Sequence, residues 1–182
     1  MIENILICGF LATGKDTLLN ELIKEPGFTG LVSHTTRTPR PGEVNGKDYY
    51  FITPEVFAEV DFIETRTAKN GSYGLSVQEY NSKAGIRKVV ILDKQGCEEF
   101  IEFAGRENCL VVYLDCNDET IIERASNRGG MTEQQITERL VADSLEFKGI
   151  KKLADLTIKT GKNNKVKEQF LEALRSRESK KA

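Results

Sequence analysis

The stretch from residue 5 to residue 19, ILICGFLATGKDTLL, constrains the fold of this chain more than any other. A short apolar run ends at Gly9, a loop closed by Gly14 and Lys15 follows, and an apolar pattern with helical spacing then begins. Glycines let backbone N–H groups converge on an anion because no Cβ stands in the way. The helix points its positive end at the same place, and the lysine adds a mobile charge. The sequence therefore predicts a strand, a phosphate-binding loop and a helix.

The loop matches the pattern G-x-x-x-x-G-K-[ST] except at its last position, where Asp16 stands and Thr17 follows. A carboxylate binds Mg²⁺ directly or through water, although it also repels nucleotide phosphates, so either Asp16 or Thr17 is a candidate metal ligand. A chance match between an unrelated strand and helix is the alternative, and the apolar context on both sides argues against it. The predicted nucleotide-binding residues are Gly9, Leu11, Ala12, Thr13, Gly14, Lys15, Asp16 and Thr17.

Length and charge limit the class of protein. The 182 residues suit one domain, and 39% hydrophobic with 30% charged residues predict a packed core. The net charge of -2 gives no overall attraction to nucleic acid or to an acidic membrane. No signal peptide is recognisable, and the apolar runs are far shorter than a membrane span of about 18 residues. We expect a cytoplasmic protein without a nucleic-acid or membrane partner, with free, buried thiols at Cys8, Cys97, Cys109 and Cys116.

Apolar strands alternate with helical patterns over most of the chain. After the first strand, further strands are predicted at Val89–Asp93, Cys109–Asp115 and Leu156–Lys159, and helices at Asp16–Lys24, Gln95–Phe103, Asp118–Arg128, Glu133–Phe147 and Lys165–Arg175. Suitable N-caps precede two of these helices, namely Asn117 or Asp118 and Thr132. The alternation predicts an α/β fold of the P-loop NTPase type, a parallel sheet flanked by helices. The charged segment Arg175–Ala182 is expected to fray.

Residues 33–81 have a different pattern. Short runs of β-formers, such as Tyr49-Tyr50-Phe51 and Phe62-Ile63-Glu64, are separated by proline and glycine, with one helix predicted at about Pro54–Val60. We interpret this region as a mostly antiparallel lobe inserted into a single domain whose core comprises residues 1–32 and 82–182. Such an insertion creates a cleft in which a second substrate can bind.

The segment from Ser33 to Glu43, SHTTRTPRPGE, contains two arginines three residues apart, Arg37 and Arg40, between prolines. Proline stiffens an extended segment, and guanidinium groups bind phosphate oxygens in a bidentate manner. The pattern therefore predicts a phosphate clamp, whereas a solvated basic loop would have no need of this stiffness.

Taken in order, the segments Gly9–Thr17, Ser33–Glu43, Asp48–Phe51, Phe62–Glu64, Tyr73-Gly74, Leu92–Gly96 and Arg124–Leu140 resemble those of guanylate kinases. The resemblance extends from about residue 3 to residue 175. It implies transfer of the γ-phosphoryl group of ATP to GMP or dGMP with Mg²⁺, by a monomer or a homodimer.

The resemblance also implies roles for individual residues. The acceptor phosphate would be held by Arg37, Arg40, Tyr50 and Tyr73, and the guanine by Ser33, Glu64 and Asp93. Residues 118–140 would form a lid whose Arg124, Arg128 and Arg139 act with Lys15 and Arg37 in catalysis. Gly129-Gly130 would serve as the lid hinge.

The chain departs from the family pattern at several positions. Besides Asp16, Leu75 stands where a small hydroxyl residue is common, and Ile91 replaces the first of two strand acids. These departures leave open a kinase for another nucleoside monophosphate or for a sugar phosphate. A non-catalytic scaffold that binds peptides is a further alternative, and the intact Gly9, Gly14 and Lys15 favour the enzyme over it.

Overall fold

A computed structural model describes residues 2–83, 85–161 and 165–179. Its larger sheet contains β1 (Asn4–Gly9), β2 (Phe28–Gly30), β7 (Arg87–Ile91), β8 (Cys109–Asp115) and β9 (Leu156–Lys159) in the order β2-β7-β1-β8-β9. Every pairing in this sheet is parallel. The α/β fold with a parallel sheet predicted from the sequence is therefore confirmed.

The helices around this sheet are α1 (Lys15–Leu22), α3 (Val77–Ser82), α4 (Lys94–Ala104), α5 (Asp118–Arg128), α6 (Glu133–Glu146), α7 (Ile150–Leu153) and α8 (Val166–Ser179). Of these, α1, α3, α4, α7 and α8 cover the two faces of the sheet and contribute to its two buried apolar clusters, whereas α5 packs on α6. Strand β1 is buried at every residue because both of its faces are covered, which explains its continuous apolar run. The parallel strands bring their carboxyl ends to one edge, where the phosphate loop follows β1.

The smaller sheet has the order β4-β3-β6-β5. It is formed by β3 (His34–Thr35), β4 (Tyr50–Phe51), β5 (Phe62–Ala68) and β6 (Gly71–Ser76), with α2 (Pro54–Glu59) between β4 and β5. The pairs β3–β6 and β5–β6 are antiparallel, whereas β3 and β4 are parallel. These elements lie within the predicted lobe, residues 33–81.

The N-caps predicted for α5 and α6 are confirmed. The Asn117 side chain accepts a hydrogen bond from the Thr120 N–H, and Thr132 forms a capping box with Gln135. The expected free thiols are also confirmed, although Cys116 is only partly buried.

Two expectations were wrong. Strand β2 was missed because a three-residue edge strand, Phe28-Thr29-Gly30, has no apolar run to reveal it. The predicted fraying from Arg175 is contradicted up to Ser179, because α8 continues to that residue and residues 180–182 lie outside the described part. Two ion pairs anchor this last turn, Arg87 with Glu178 and Arg177 with Asp155. Within the described residues, we find no helix long and apolar enough to cross a bilayer.

Candidate active site

The phosphate loop joins β1 to α1 in a conformation that requires glycine at both ends. A Cβ on Gly9 would lie 2.8 Å from the Leu114 backbone oxygen and 2.9 Å from Thr13 Oγ1, so no larger residue fits there. Gly14 caps α1 with a φ of 96°, in the left-handed region. The Thr13 hydroxyl donates to the Phe10 carbonyl at 2.9 Å and fixes the turn between them. The loop therefore leaves the amino end of α1 open toward the cleft, as an anion site requires.

Lys15 lies across this loop. Its ammonium group donates to the carbonyl oxygens of Gly9 at 2.8 Å and of Phe10 at 2.7 Å. Burial lowers the pKa of Lys15, while the charges of Asp16 and Asp143 oppose that shift. A lysine that is held at the mouth of the loop by two carbonyl groups can move to an outer phosphate without a large change of backbone.

A cleft of about 740 Å³ opens beside the loop. Its walls include residues 12–17, which were predicted to bind the nucleotide, and Arg124 and Arg128, which were predicted to belong to the lid. Thr160, Gly161 and Lys165 complete the walls. The Arg124 guanidinium donates to the carbonyl oxygens of Ala12 at 3.3 Å and Gly161 at 2.9 Å, and so connects the loop to the segment after β9. This volume lies in the range of small-molecule sites, roughly 300–1,000 Å³.

The surroundings of Arg37 in the inserted lobe, called the Arg37 pocket below, contain the predicted phosphate clamp. Arg37 is only 7% exposed, and its two terminal nitrogens bind the Glu43 carboxylate, each at 2.9 Å. This pair raises the pKa of Arg37 and lowers that of Glu43. The guanidinium also lies over the rings of Tyr49 at 5.4 Å and Phe51 at 5.7 Å. The aromatic packing and the carboxylate together hold one guanidinium in a fixed orientation.

The other predicted phosphate ligands fall on different sides of the lobe. Tyr73 lies near Arg37, with its ring 5.9 Å from that of Tyr49. Arg40 is exposed, and its backbone N–H donates to Glu43. Tyr50 is not brought to this pocket, because its hydroxyl donates to Glu79 at 3.0 Å and its ring packs on His34.

Tyr49 is the residue that sequence reasoning missed. Consecutive side chains of an extended segment point to opposite sides, so Tyr49 and Phe51 face Arg37 while Tyr50 faces Glu79. The sequence did indicate a choice, because two adjacent tyrosines of a strand lie on opposite faces and only one of them can lie on the same face as Arg37. Burial raises the pKa of Tyr49, and the negative charge of Asp16 raises it further.

Two carboxylates lie beyond the Arg37 pocket, toward the sheet. Glu64 on β5 is 7% exposed, and burial together with the charge of Asp93 raises its pKa to about 7. Asp93 caps α4 by accepting from the Gly96 N–H at 2.7 Å, and it lies 3.3 Å from Arg66 Nη1. Asp93 therefore serves as a helix cap while its second oxygen faces Arg66, an arginine that the sequence did not single out.

Two further positions concern the predicted guanine contacts. The Ser33 carbonyl accepts from the Tyr50 N–H at 2.9 Å, which fixes the start of the lobe. Leu75 is fully buried and packs into the hydrophobic core with Ile63, so this side chain stabilises the lobe instead of presenting a hydroxyl group.

The three lid arginines have different surroundings. Arg128 ends α5 as an exposed residue, and Gly129 and Gly130 follow with φ values of 71° and 81°, as suits a hinge. Arg124 is held at the loop as described above. Arg139 on α6 contacts Asp143, its Nε lying 2.6 Å from Oδ1.

The parallel sheet, the phosphate loop ending in lysine and the cleft beside it are those of a P-loop phosphotransferase of the α/β class. A family model for guanylate kinase matches residues 1–177. The chain belongs to the guanylate kinase family.

Individual relatives support this assignment. The guanylate kinase of Sus scrofa is 34% identical, with 98% of this chain and 94% of the relative covered. That of Protochlamydia amoebophila is 44% identical over 74% of this chain and 71% of the relative. A crystal structure of the guanylate kinase from Anaplasma phagocytophilum has a TM-score of 0.71 at 24% identity, covers 97% of this chain and 85% of that one, and shows the same fold.

Proposed function

We propose that this chain transfers the γ-phosphoryl group of ATP to GMP. One observation carries the proposal: the phosphate loop with Lys15 lines a cleft of about 740 Å³, and the inserted lobe holds a buried arginine, Arg37, and a buried carboxylate, Glu64. A donor triphosphate, an acceptor phosphate and a base with hydrogen-bond donors would occupy these three places. The family of the chain supports the same reaction.

In the proposed mechanism, the loop amides and Lys15 hold the ATP phosphates. Arg37, Tyr49 and Tyr73 hold the acceptor phosphate, and Arg40 joins them when the lobe closes. The acceptor oxygen is already ionised, so catalysis requires alignment and charge neutralisation and not a general base. Positive charge at the transferring group comes from Arg124, Arg128 and Arg139 of the lid, which comprises about residues 118–140. Closure of this lid also excludes water, which would otherwise hydrolyse ATP.

Glu64 and Asp93 give the proposed guanine selectivity. An ionised carboxylate only accepts hydrogen bonds, and guanine presents N1–H and N2–H₂ donors on one edge. Adenine lacks this pair of donors, so it would leave the buried Glu64 carboxylate without donors from the base. Ser33 would complete the site at guanine O6.

Asp16 and Thr17 fit a magnesium ion. Both side chains are exposed in the first turn of α1, next to Lys15, and both offer hard oxygen ligands. Magnesium needs few protein ligands when substrate phosphates and water complete its shell. When bound, Mg²⁺ would neutralise charge on the β- and γ-phosphoryl groups. Measurements of Mg²⁺ binding to single variants of Asp16 and Thr17 distinguish the two ligands.

The test of the proposed function is a coupled assay of ATP consumption with GMP, dGMP, AMP, UMP and dTMP as acceptors. We expect ADP release with GMP and, because no contact to the ribose 2′-hydroxyl is proposed, with dGMP as well. Activity only with acceptors that carry another base would contradict the assignment of guanine. Silence with all five acceptors would favour a binding scaffold over an enzyme. We place the activity in the cytoplasm, where the free thiols stay reduced, in a monomer or a homodimer.

The two adjacent tyrosines give a direct prediction. Tyr49→Phe removes a hydroxyl from the Arg37 pocket, and we expect the KM for GMP to rise about tenfold, the weight of one hydrogen bond to a charged group. Tyr50→Phe is the matched control, because its hydroxyl binds Glu79 and not the pocket. Steady-state kinetics with GMP as the varied substrate measures both. A larger rise in the KM for GMP in Tyr50→Phe than in Tyr49→Phe would assign the phosphate contact to Tyr50.

The pKa of Glu64 predicts a pH dependence. Because its folded pKa is raised to about 7, the group is protonated in the free enzyme below that pH and ionised above it. GMP requires the ionised form, so its affinity should fall by about tenfold per pH unit below pH 7. Glu64→Gln cannot ionise and provides the control for titration of the GMP phosphate itself. Titration calorimetry of GMP binding between pH 5.5 and 8, at about half-unit steps, measures the difference, and equal slopes for both proteins would contradict it.

A further inference from the structure

A buried carboxylate on the lid helix α6 contacts the phosphate loop directly. Asp143 is fully buried, and its Oδ2 accepts from the backbone N–H of Leu11 at 2.7 Å across 132 residues of sequence. Leu11 lies between Gly9 and Gly14, immediately before Ala12, whose φ of 54° lies in the left-handed region. One of the loop donors is therefore engaged by a protein group.

The same carboxylate holds Arg139. Arg139 Nε lies 2.6 Å from Asp143 Oδ1, one helical turn away. A buried carboxylate without a cation would be strongly unfavourable, so this contact compensates the charge of Asp143. The interaction uses the Nε side of the guanidinium. Its Nη2 lies 3.7 Å from Glu146, a loose contact, and the Arg139 side chain remains 40% exposed.

This arrangement keeps Arg139 beside the loop. Asp143 Oδ2 accepts a hydrogen bond from the Leu11 N–H, while Oδ1 forms an ion pair with Arg139 without the geometry of a hydrogen bond. The charges of Asp143 and Arg139 both affect the pKa of Lys15, in opposite directions, which places all three groups in one electrostatic neighbourhood. The terminal nitrogens of Arg139 stay available for a ligand at the outer end of the loop.

We propose that Asp143 is a positioning residue that orients Arg139 for contact with the terminal phosphate of ATP. Without Asp143, Arg139 would be a mobile helix arginine, and ordering it would cost rotamer entropy in every catalytic cycle. The inference rests on the proposed function for the reaction itself. The contact with the terminal phosphate, however, requires only ATP binding and can be tested without an acceptor.

The test uses Asp143→Asn, Arg139→Ala and the double variant in the full chain. Asparagine keeps an acceptor for Leu11 N–H but loses the charge that holds Arg139. We expect Asp143→Asn to lower kcat about tenfold to thirtyfold, the effect of freeing one arginine side chain. Calorimetry should show weaker binding of ATP, by about threefold to tenfold, with unchanged binding of ADP, which lacks the terminal phosphate. The KM for GMP should remain unchanged.

The double variant separates positioning from a purely structural role. Arg139→Ala alone leaves a buried charge, so its melting temperature should fall, and adding Asp143→Asn should restore stability but not kcat. Asp143→Asn should cause no further loss of kcat when Arg139 is already absent. Glu138→Gln is the matched control, because this exposed carboxylate on α6 accepts from Gln134 and faces away from the loop.

The outcomes are distinguishable. Unchanged kcat and unchanged ATP affinity in Asp143→Asn would overturn the inference, as would an equal loss of kcat in the presence and absence of Arg139. A wild-type protein that binds ATP but phosphorylates no guanine nucleotide would refute the proposed function. In that case the comparison of ATP with ADP still decides the role of Asp143.

Discussion

Arg37→Ala should lower kcat/KM for GMP by about 10³, because two charge-assisted hydrogen bonds of roughly 1.5–3 kcal/mol each are lost. The side chain is buried against Tyr49 and Phe51 and held by Glu43. Binding of the acceptor phosphate therefore costs little side-chain entropy. The replacement removes a charge that is already oriented, and the alanine side chain offers no hydrogen bond to the phosphate. Steady-state kinetics at saturating ATP measures this effect.

The matched control is Arg87→Ala. Arg87 also binds a carboxylate, with Nη2 donating to both oxygens of Glu178, and lies over an aromatic ring, Phe28. It begins β7, at the end of the sheet opposite the phosphate loop. We expect a similar change in melting temperature for both variants and a loss of activity only for Arg37→Ala. Turnover near that of the wild type would exclude Arg37 from the mechanism.

Lys15→Met should lower kcat by about 10³, at the upper end of the effect of removing one preorganised donor from a site where charge develops. Methionine matches the length of the lysine stem but cannot follow the transferring phosphoryl group. The ammonium is held at the loop by the Gly9 and Phe10 carbonyl groups, and burial disfavours its charge. Removing that charge should therefore leave the melting temperature unchanged or raise it, so a loss of activity would not reflect unfolding.

Lys24→Met provides the comparison, because Lys24 is an exposed residue just beyond α1. Both variants change one lysine to the same residue, one in the first turn of α1 and the other just after its end. We expect normal turnover for Lys24→Met. Equal activity of the two variants would show that the ammonium of Lys15 takes no part in the reaction.

Much of the fold follows from local patterns. The bounds of α5, β8 and β9 agree with the predicted ranges, and those of the other predicted helices of the core agree within a few residues. These elements have strong apolar periodicity and clear caps such as Asn117 and Thr132. Strand β2 was missed because pairing with β7, and not its own composition, makes it a strand.

The residues of the candidate site also separate into those that a local sequence pattern indicates and those that only tertiary contacts reveal. The arginine-containing segments and the carboxylates Glu64 and Asp93 could be proposed from the sequence, because each lies in a contiguous motif. The sequence did not identify Tyr49, whose role depends on which side of β4 faces Arg37. Arg66 also had no signal, because its partners Asp93 and Glu146 come from α4 and α6.

The phosphate loop is the feature that the sequence by itself determined. Its glycines, its lysine and the helix after it lie within a few consecutive residues, so the backbone geometry follows from local steric rules. Only the tertiary structure decided which groups surround that loop. Asp143 reaches Leu11 across 132 residues, and the packing of α6 brings it there. A side chain acquires such a partner through the docking of whole elements, and no local pattern records that.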